Sequence, residues 1–147
     1  MPSVADIIDK LQGIDVDAVT EAIFNDHKDY LVNLNIENLD KGLNVDNEIV
    51  GTYSNLTEEI ARISNPALPK IAGQPYNFVW TGDLISNIFV SLRENTITTD
   101  STGSGTGDKL RFVQENKILG ISKDKENYVN KEIFEPEYQK RIAEKLK

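Results

Sequence analysis

The segment Gly103-Ser104-Gly105-Thr106-Gly107-Asp108-Lys109 follows an expected strand and precedes an expected helix, the setting in which backbone amides cradle phosphate. Its spacing fails that chemistry. A P-loop places Lys directly after its last Gly with a hydroxyl residue next, whereas here Asp108 intervenes and Leu110 follows. A dinucleotide fingerprint fails on spacing too, and the Asp108 carboxylate would repel a pyrophosphate. A flexible Gly-Ser loop over residues 100–108 is the simpler reading. The single histidine, His27, stands near Asp26 and Asp29, but transition-metal sites need three or four converging ligands. No serine or threonine is tied to it by a triad-type signature, so it reads as a solvated or half-buried helix residue.

Glu58, Glu59 and Asp83 are the carboxylates best placed near turns for a glycosidase-type acid and base pair, a chemistry that needs two carboxyls facing each other across a cleft. With 24 acidic residues in the chain, such candidates arise by chance. Residues 44–48 are acidic and Asn-rich as a calcium loop is, yet they lack the alternating oxygen ligands and closing Glu of an EF-hand. Trp80, the only tryptophan, lies in Pro75-Tyr76-Asn77-Phe78-Val79-Trp80-Thr81-Gly82. Aromatics populate cores and interface hot spots alike, and core is the favoured reading. The expectation is therefore a non-enzymatic chain with no catalytic, cofactor-binding or metal-binding residue.

Composition narrows the class of partner. At 147 residues the chain can form one core, burying roughly 68 to 70% of its unfolded surface. A hydrophobic fraction of 39% with 27% charged residues suits a globular fold. The formal charge of -8 opposes a phosphate backbone, so nucleic-acid readout is not expected. There is no cysteine, which excludes disulfides and thiolate zinc sites. The first residues lack the basic region and apolar stretch of a signal peptide, and no apolar run approaches the roughly 18 residues that span a bilayer.

The elements that would position any site follow from periodicity. Ser3 with Asp6 makes a capping-box-like start for a short helix carrying Val4, Ile7, Ile8 and Leu11, stopped by Gly13. Asp15 or Asp17 caps a longer helix through Val19, Ile23 and Leu31 toward Gly42, weakened by Asn33, Asn35 and Asn38. Residues 43–53 have the composition of a hairpin or an extended arm around Asp46-Asn47. A short helix carries Leu56, Ile60 and Ile63, then Pro66, Pro69, Gly73 and Pro75 impose an irregular crossing. Asp83 caps a helical turn that passes into a strand at Ile88, paired through Glu94-Asn95 with residues 96–99. Helices are expected over 109–115, after Ser122, and from Pro136 as a first helical residue. The fold class expected is α+β, with N-terminal and C-terminal helices packed on a small antiparallel sheet and extended arm or loop segments. It forms a single domain, residues 1–147: helical over 1–42, mainly β and loop over 43–107, helical over 108–147.

Four short stretches, Leu39-Asp40-Lys41-Gly42-Leu43, Ile49-Val50-Gly51-Thr52-Tyr53, Trp80-Thr81-Gly82-Asp83-Leu84 and Lys117-Ile118-Leu119-Gly120-Ile121-Ser122, occur in this order. Together they resemble a group of small bacteriophage virion proteins related to the tail-completion and head-tail neck families. The chain departs from that pattern at Glu115-Asn116, where an aromatic-Gly pair is expected, and its first 30 residues match no part of it. The resemblance implies a virion structural protein at the junction of capsid and tail, synthesised in the bacterial host cytoplasm. Its partners would be portal, connector or tail components, with several copies in a homo-oligomeric ring and no catalytic residue. Ring subunits often reach neighbours with arms, and residues 43–53 and the Gly-Ser segment are the candidates. The alternative is an acidic immunity or antitoxin-like module that masks a basic partner protein, for which small size and negative charge speak.

Overall fold

The computed structural model of the chain describes residues 2–78 and 82–147, so the expectation for Trp80 lies outside the described residues. Helix α1 (Val4–Gln12) begins with the expected capping box: the Asp6 amide donates to the Ser3 hydroxyl at 3.2 Å, and the Ser3 amide donates to the Asp6 carboxylate at 2.8 Å. Asp15 starts α2 (Val16–Asp40) by accepting from the Ala18 amide at 3.1 Å. At a rise of 1.5 Å per residue, α2 is roughly 37 Å long and forms the spine of the molecule. Asn35 and Asn38 do not end it, because both are buried and bonded. Their side-chain amides donate to the carbonyls of Ile118, at 3.4 Å, and Asn44, at 3.3 Å, tertiary bonds that outweigh weak helical propensity.

Strands β1 (Ile88–Arg93) and β2 (Thr96–Ser101) pair antiparallel with Ile88 opposite Ser101 and Arg93 opposite Thr96. Glu94 and Asn95 both hold left-handed backbone, φ 50° and 60°, the geometry that makes a two-residue turn match the strand twist. Ile88 and Val90 point inward while Phe89 points to solvent. The fold is thus α+β, a two-stranded antiparallel sheet with helices packed on it. One part of the core joins Ile23, Phe24, Leu31, Val90, Val129 and Phe134; the other joins Leu39, Leu84, Ile88, Val113 and Ile118.

The remaining helices are α3 (Asn55–Ser64), α4 (Asp83–Ser86), α5 (Gly107–Glu115), α6 (Lys123–Val129) and α7 (Glu135–Lys145). Gly82, at φ 87°, occupies the cap of α4, and Asp83 is its first residue rather than its cap. Pro136 does not open the last helix. The helical path is continuous from Lys123, and a π-helical turn, Asn130–Phe134, joins α6 to α7. Proline has no amide to donate and its ring collides with the carbonyl four residues back. The wide turn, in which the Glu135 amide donates to the Asn130 carbonyl, makes room for it. Arg141 on α7 binds Asp26 on α2 at 2.5 Å, and the hydroxyls of Tyr138 and Thr20 are bonded, so α7 is held along α2.

Both segments expected as arms fold back on the body. In residues 43–53, Leu43 bridges Ile49, Asn47 turns the chain at φ 59°, and the Val45 amide donates to the Lys117 carbonyl at 3.0 Å. The Gly-Ser segment, expected as a flexible loop, is instead the end of β2 followed by a 3-10 turn, Thr102–Ser104, packed on α4. Ser101 is buried with its hydroxyl donating to the Leu84 carbonyl at 2.7 Å, and Ser104 is buried beside it. The bond allows the Ser101 hydroxyl to be enclosed, whereas the enclosed Ser104 hydroxyl has no hydrogen-bond partner among the described residues. Gly103 has no Cβ, so its backbone can lie against the Asp83 carbonyl, where a Cβ would fall 2.0 Å from the oxygen.

Candidate functional site

The irregular crossing after α3 encloses a polar knot that spacing did not reveal. Lys70 is 3% exposed, and its ammonium donates to Asn77 Oδ1 at 2.6 Å and lies 5.3 Å from the Tyr53 ring centroid. The Tyr53 hydroxyl donates to the same Asn77 oxygen at 2.8 Å and accepts from the Asn77 amide at 2.9 Å. Burial lowers the Lys70 pKa from its ordinary value, and burial raises that of Tyr53. Tyr76 packs at a tilt of 59° against Tyr53 with centroids 4.9 Å apart and meets Phe112 edge-on at 6.4 Å. Phe78, at φ 58°, adds a strained residue to the same wall. These side chains line a cavity of about 300 Å³ together with Leu84, Val113 and Ile118, and with Asp83 and Lys109.

That volume stands at the lower limit of small-molecule pockets. The hydroxyl of Tyr53 and the ammonium of Lys70 meet on one amide oxygen, that of Asn77. The knot ties residues 70–77 to the strand-like segment at Tyr53, where the Tyr53 amide also donates to the Gln74 carbonyl at 3.0 Å. Nothing in the one-dimensional pattern marks Lys70. Only its neighbours Pro69 and Pro75 hinted at a constrained crossing.

The residues weighed for chemistry are dispersed into local tasks. His27 is half-buried on α2, and its neighbour Asp26 is committed to Arg141. Glu58 accepts from the Ala72 amide at 2.5 Å, Glu59 pairs with Arg62 at 3.6 Å, and Asp83 alone of the three lines the cavity. In residues 44–48 the Asn44 side-chain oxygen accepts from the amides of Asp46 and Glu48, so it shapes the turn. Asp108 pairs with Arg111 at 3.8 Å on the surface. Among the described residues no group of three His, Asp or Glu side chains is placed to hold a metal. Among them, too, no helix is long and apolar enough to cross a membrane.

The surface carries a stronger signal than the cavity. Helix α1 buries none of its residues, and Val4, Ile8 and Leu11, its apolar stripe, are 74%, 46% and 46% exposed. Helix α3 buries only Ala61, while Leu56, Ile60 and Ile63 are 67%, 47% and 73% exposed. Sequence periodicity found both stripes, but periodicity cannot say whether a stripe faces its own core. The whole chain exposes 9613 Å², against roughly 7,600 Å² for a compact monomer of this mass, a surplus of roughly 2,000 Å². No protein-family model, curated protein or solved structure matches the chain.

Proposed function

We propose that this chain is a non-enzymatic structural subunit that acts by protein–protein contact. Its place is a homo-oligomeric ring at the head-tail junction of a bacteriophage, as a neck or tail-completion component touching portal, connector or tail proteins. The observation that carries the contact role is the pair of apolar helix faces, on α1 and α3, that the chain's own core leaves uncovered. Large apolar residues grouped on a helix face mark interaction sites, whereas scattered ones need no explanation. The placement at the head-tail junction is supported by the order of the four sequence stretches described above.

The negative charge of -8 favours a second reading, a module that covers a basic partner protein. Three experiments separate them. Deleting the gene from the phage that encodes the chain should leave full heads and free tails unjoined in electron micrographs of the lysate. Gold-labelled antibody to the chain should decorate the head-tail vertex of intact particles. Normal particles after deletion, or a tight one-to-one complex with a basic protein in light scattering, would exclude the ring.

A further inference from the structure

Helices α1 and α3 repeat one pattern. Val4-Ala5-Asp6-Ile7-Ile8-Asp9-Lys10-Leu11 and Leu56-Thr57-Glu58-Glu59-Ile60-Ala61-Arg62-Ile63 share apolar residues at their first, fifth and eighth positions. Both carry an acid at the third position and a base at the seventh. A serine caps each helix, Ser3 and Ser54, so the two stripes begin within a residue of the same turn. We propose that α1 of one copy of this chain docks antiparallel on α3 of the next copy, and that this contact joins neighbours in the assembly. The proposal rests on the ring reading above and gives it a specific interface.

The occupant follows from shape and charge together. Each helix carries an acid in its first turn and a base in its last, Asp6 and Lys10 on α1, with Asp9 beside Lys10, and Glu58 and Arg62 on α3. Antiparallel packing therefore sets Lys10 beside Glu58 and Glu59, and Arg62 beside Asp6. Parallel packing would set acid against acid and base against base. Antiparallel packing also opposes the two helix dipoles. The apolar pairs become Val4 with Ile63, Ile8 with Ile60, and Leu11 with Leu56. The two surfaces differ within one chain, so the contact is head-to-tail, and a head-to-tail contact closes into a ring when its rotation permits. Helices of 9 and 10 residues make a small contact, below the area of a standard stable interface. A single junction is therefore weak, and closure of the ring, where every subunit makes two junctions, stabilises it.

The chain contains no cysteine, so introduced cysteines report without background. Ile8→Cys and Ile60→Cys variants, each purified alone and then mixed at high concentration with a short bis-maleimide, should give a covalent dimer in the mixture. Either variant alone should stay monomeric. Orientation is read from Val4→Cys, which should link to Ile63→Cys and not to Leu56→Cys. All five positions are exposed, and circular dichroism of each variant confirms that folding is unchanged. The contact is overturned by linking of Ile8→Cys or Ile60→Cys to itself as readily as in the mixture. Preference of Val4→Cys for Leu56→Cys overturns it too, as does absence of any link between well-folded variants. Gold label at the head-tail vertex without an α1 to α3 link sinks this interface and spares the ring. A link without label in particles does the reverse.

Discussion

A buried ammonium group gives up hydration, and at Lys70 the Asn77 amide oxygen and the Tyr53 ring face are among the groups that stand in its place. The loss shows as a pKa lowered from the ordinary lysine value of 10.5. Between that lowered value and 10.5 the unfolded chain binds more protons at this site than the folded one, so stability rises with pH across that window. The Lys70 contribution is complete above 10.5 and is lost as pH falls through the folded-state pKa. A Lys70→Met variant keeps the volume and removes the titration. The urea midpoint of the parent should therefore climb relative to the variant as pH rises toward 10.5, and parallel midpoints would refute the assignment. Gly103 makes a second residue-scale test, because a Cβ there would lie 2.0 Å from the Asp83 oxygen. Gly103→Ala should cost about 2 kcal/mol in chemical denaturation, the cost of forcing packed backbone apart. Neither residue was legible beforehand: Lys70 had no pattern around it, and Gly103 was absorbed into a Gly-Ser run whose composition suggests flexibility. Composition registers the small side chains but not the α4 carbonyl they pack against.

Elements were far more legible than sites, because caps and turns are local chemistry. The Ser3 capping box, the Asp15 cap and the Glu94-Asn95 turn each involve residues within four positions of one another, and each forms as expected. The asparagines of α2 misled only because their partners, Ile118 and Asn44, belong to other elements. Pro136 misled for a related reason: helix N-termini favour proline, but a π turn can also accommodate one inside a continuous helix. The hairpin offers the cleanest test at this scale. Glu94 holds φ 50°, a left-handed conformation that costs a non-glycine residue roughly 1 kcal/mol and that asparagine tolerates better. Asn95 should be kept, since its side-chain amide donates to Asp17 at 3.2 Å and ties the turn to α2. Glu94→Asn should therefore stabilise the protein by about 0.5 to 1 kcal/mol, raising the melting temperature and slowing amide exchange in both strands. A fall in melting temperature would mean that the turn is not held in this geometry.

At the scale of the molecule the dominant fact is how little of two helices its core uses. The spine, the hairpin, α4, α5 and the C-terminal helical run supply the interior, while α1 and α3 leave their apolar stripes in water. Amphipathic periodicity predicted those helices correctly, and the unstated premise that apolar faces turn inward is where sequence reading ended. Whether a stripe closes on its own chain or on a neighbour is decided by the path of the connecting segments, which no periodicity encodes. The distinction has a measurable consequence. If the α3 stripe served folding, charging it would unfold the chain; if it serves assembly, charging it should leave the monomer intact. Leu56 and Ile63 are the most exposed of its apolar residues, so Leu56→Lys with Ile63→Lys should change unfolding free energy by no more than about 0.5 kcal/mol per site. The same pair should abolish the cross-link between α1 of one copy and α3 of the next that the proposed contact requires. A large loss of stability in the isolated variant would return α3 to the core and remove the physical basis for a contact-driven role.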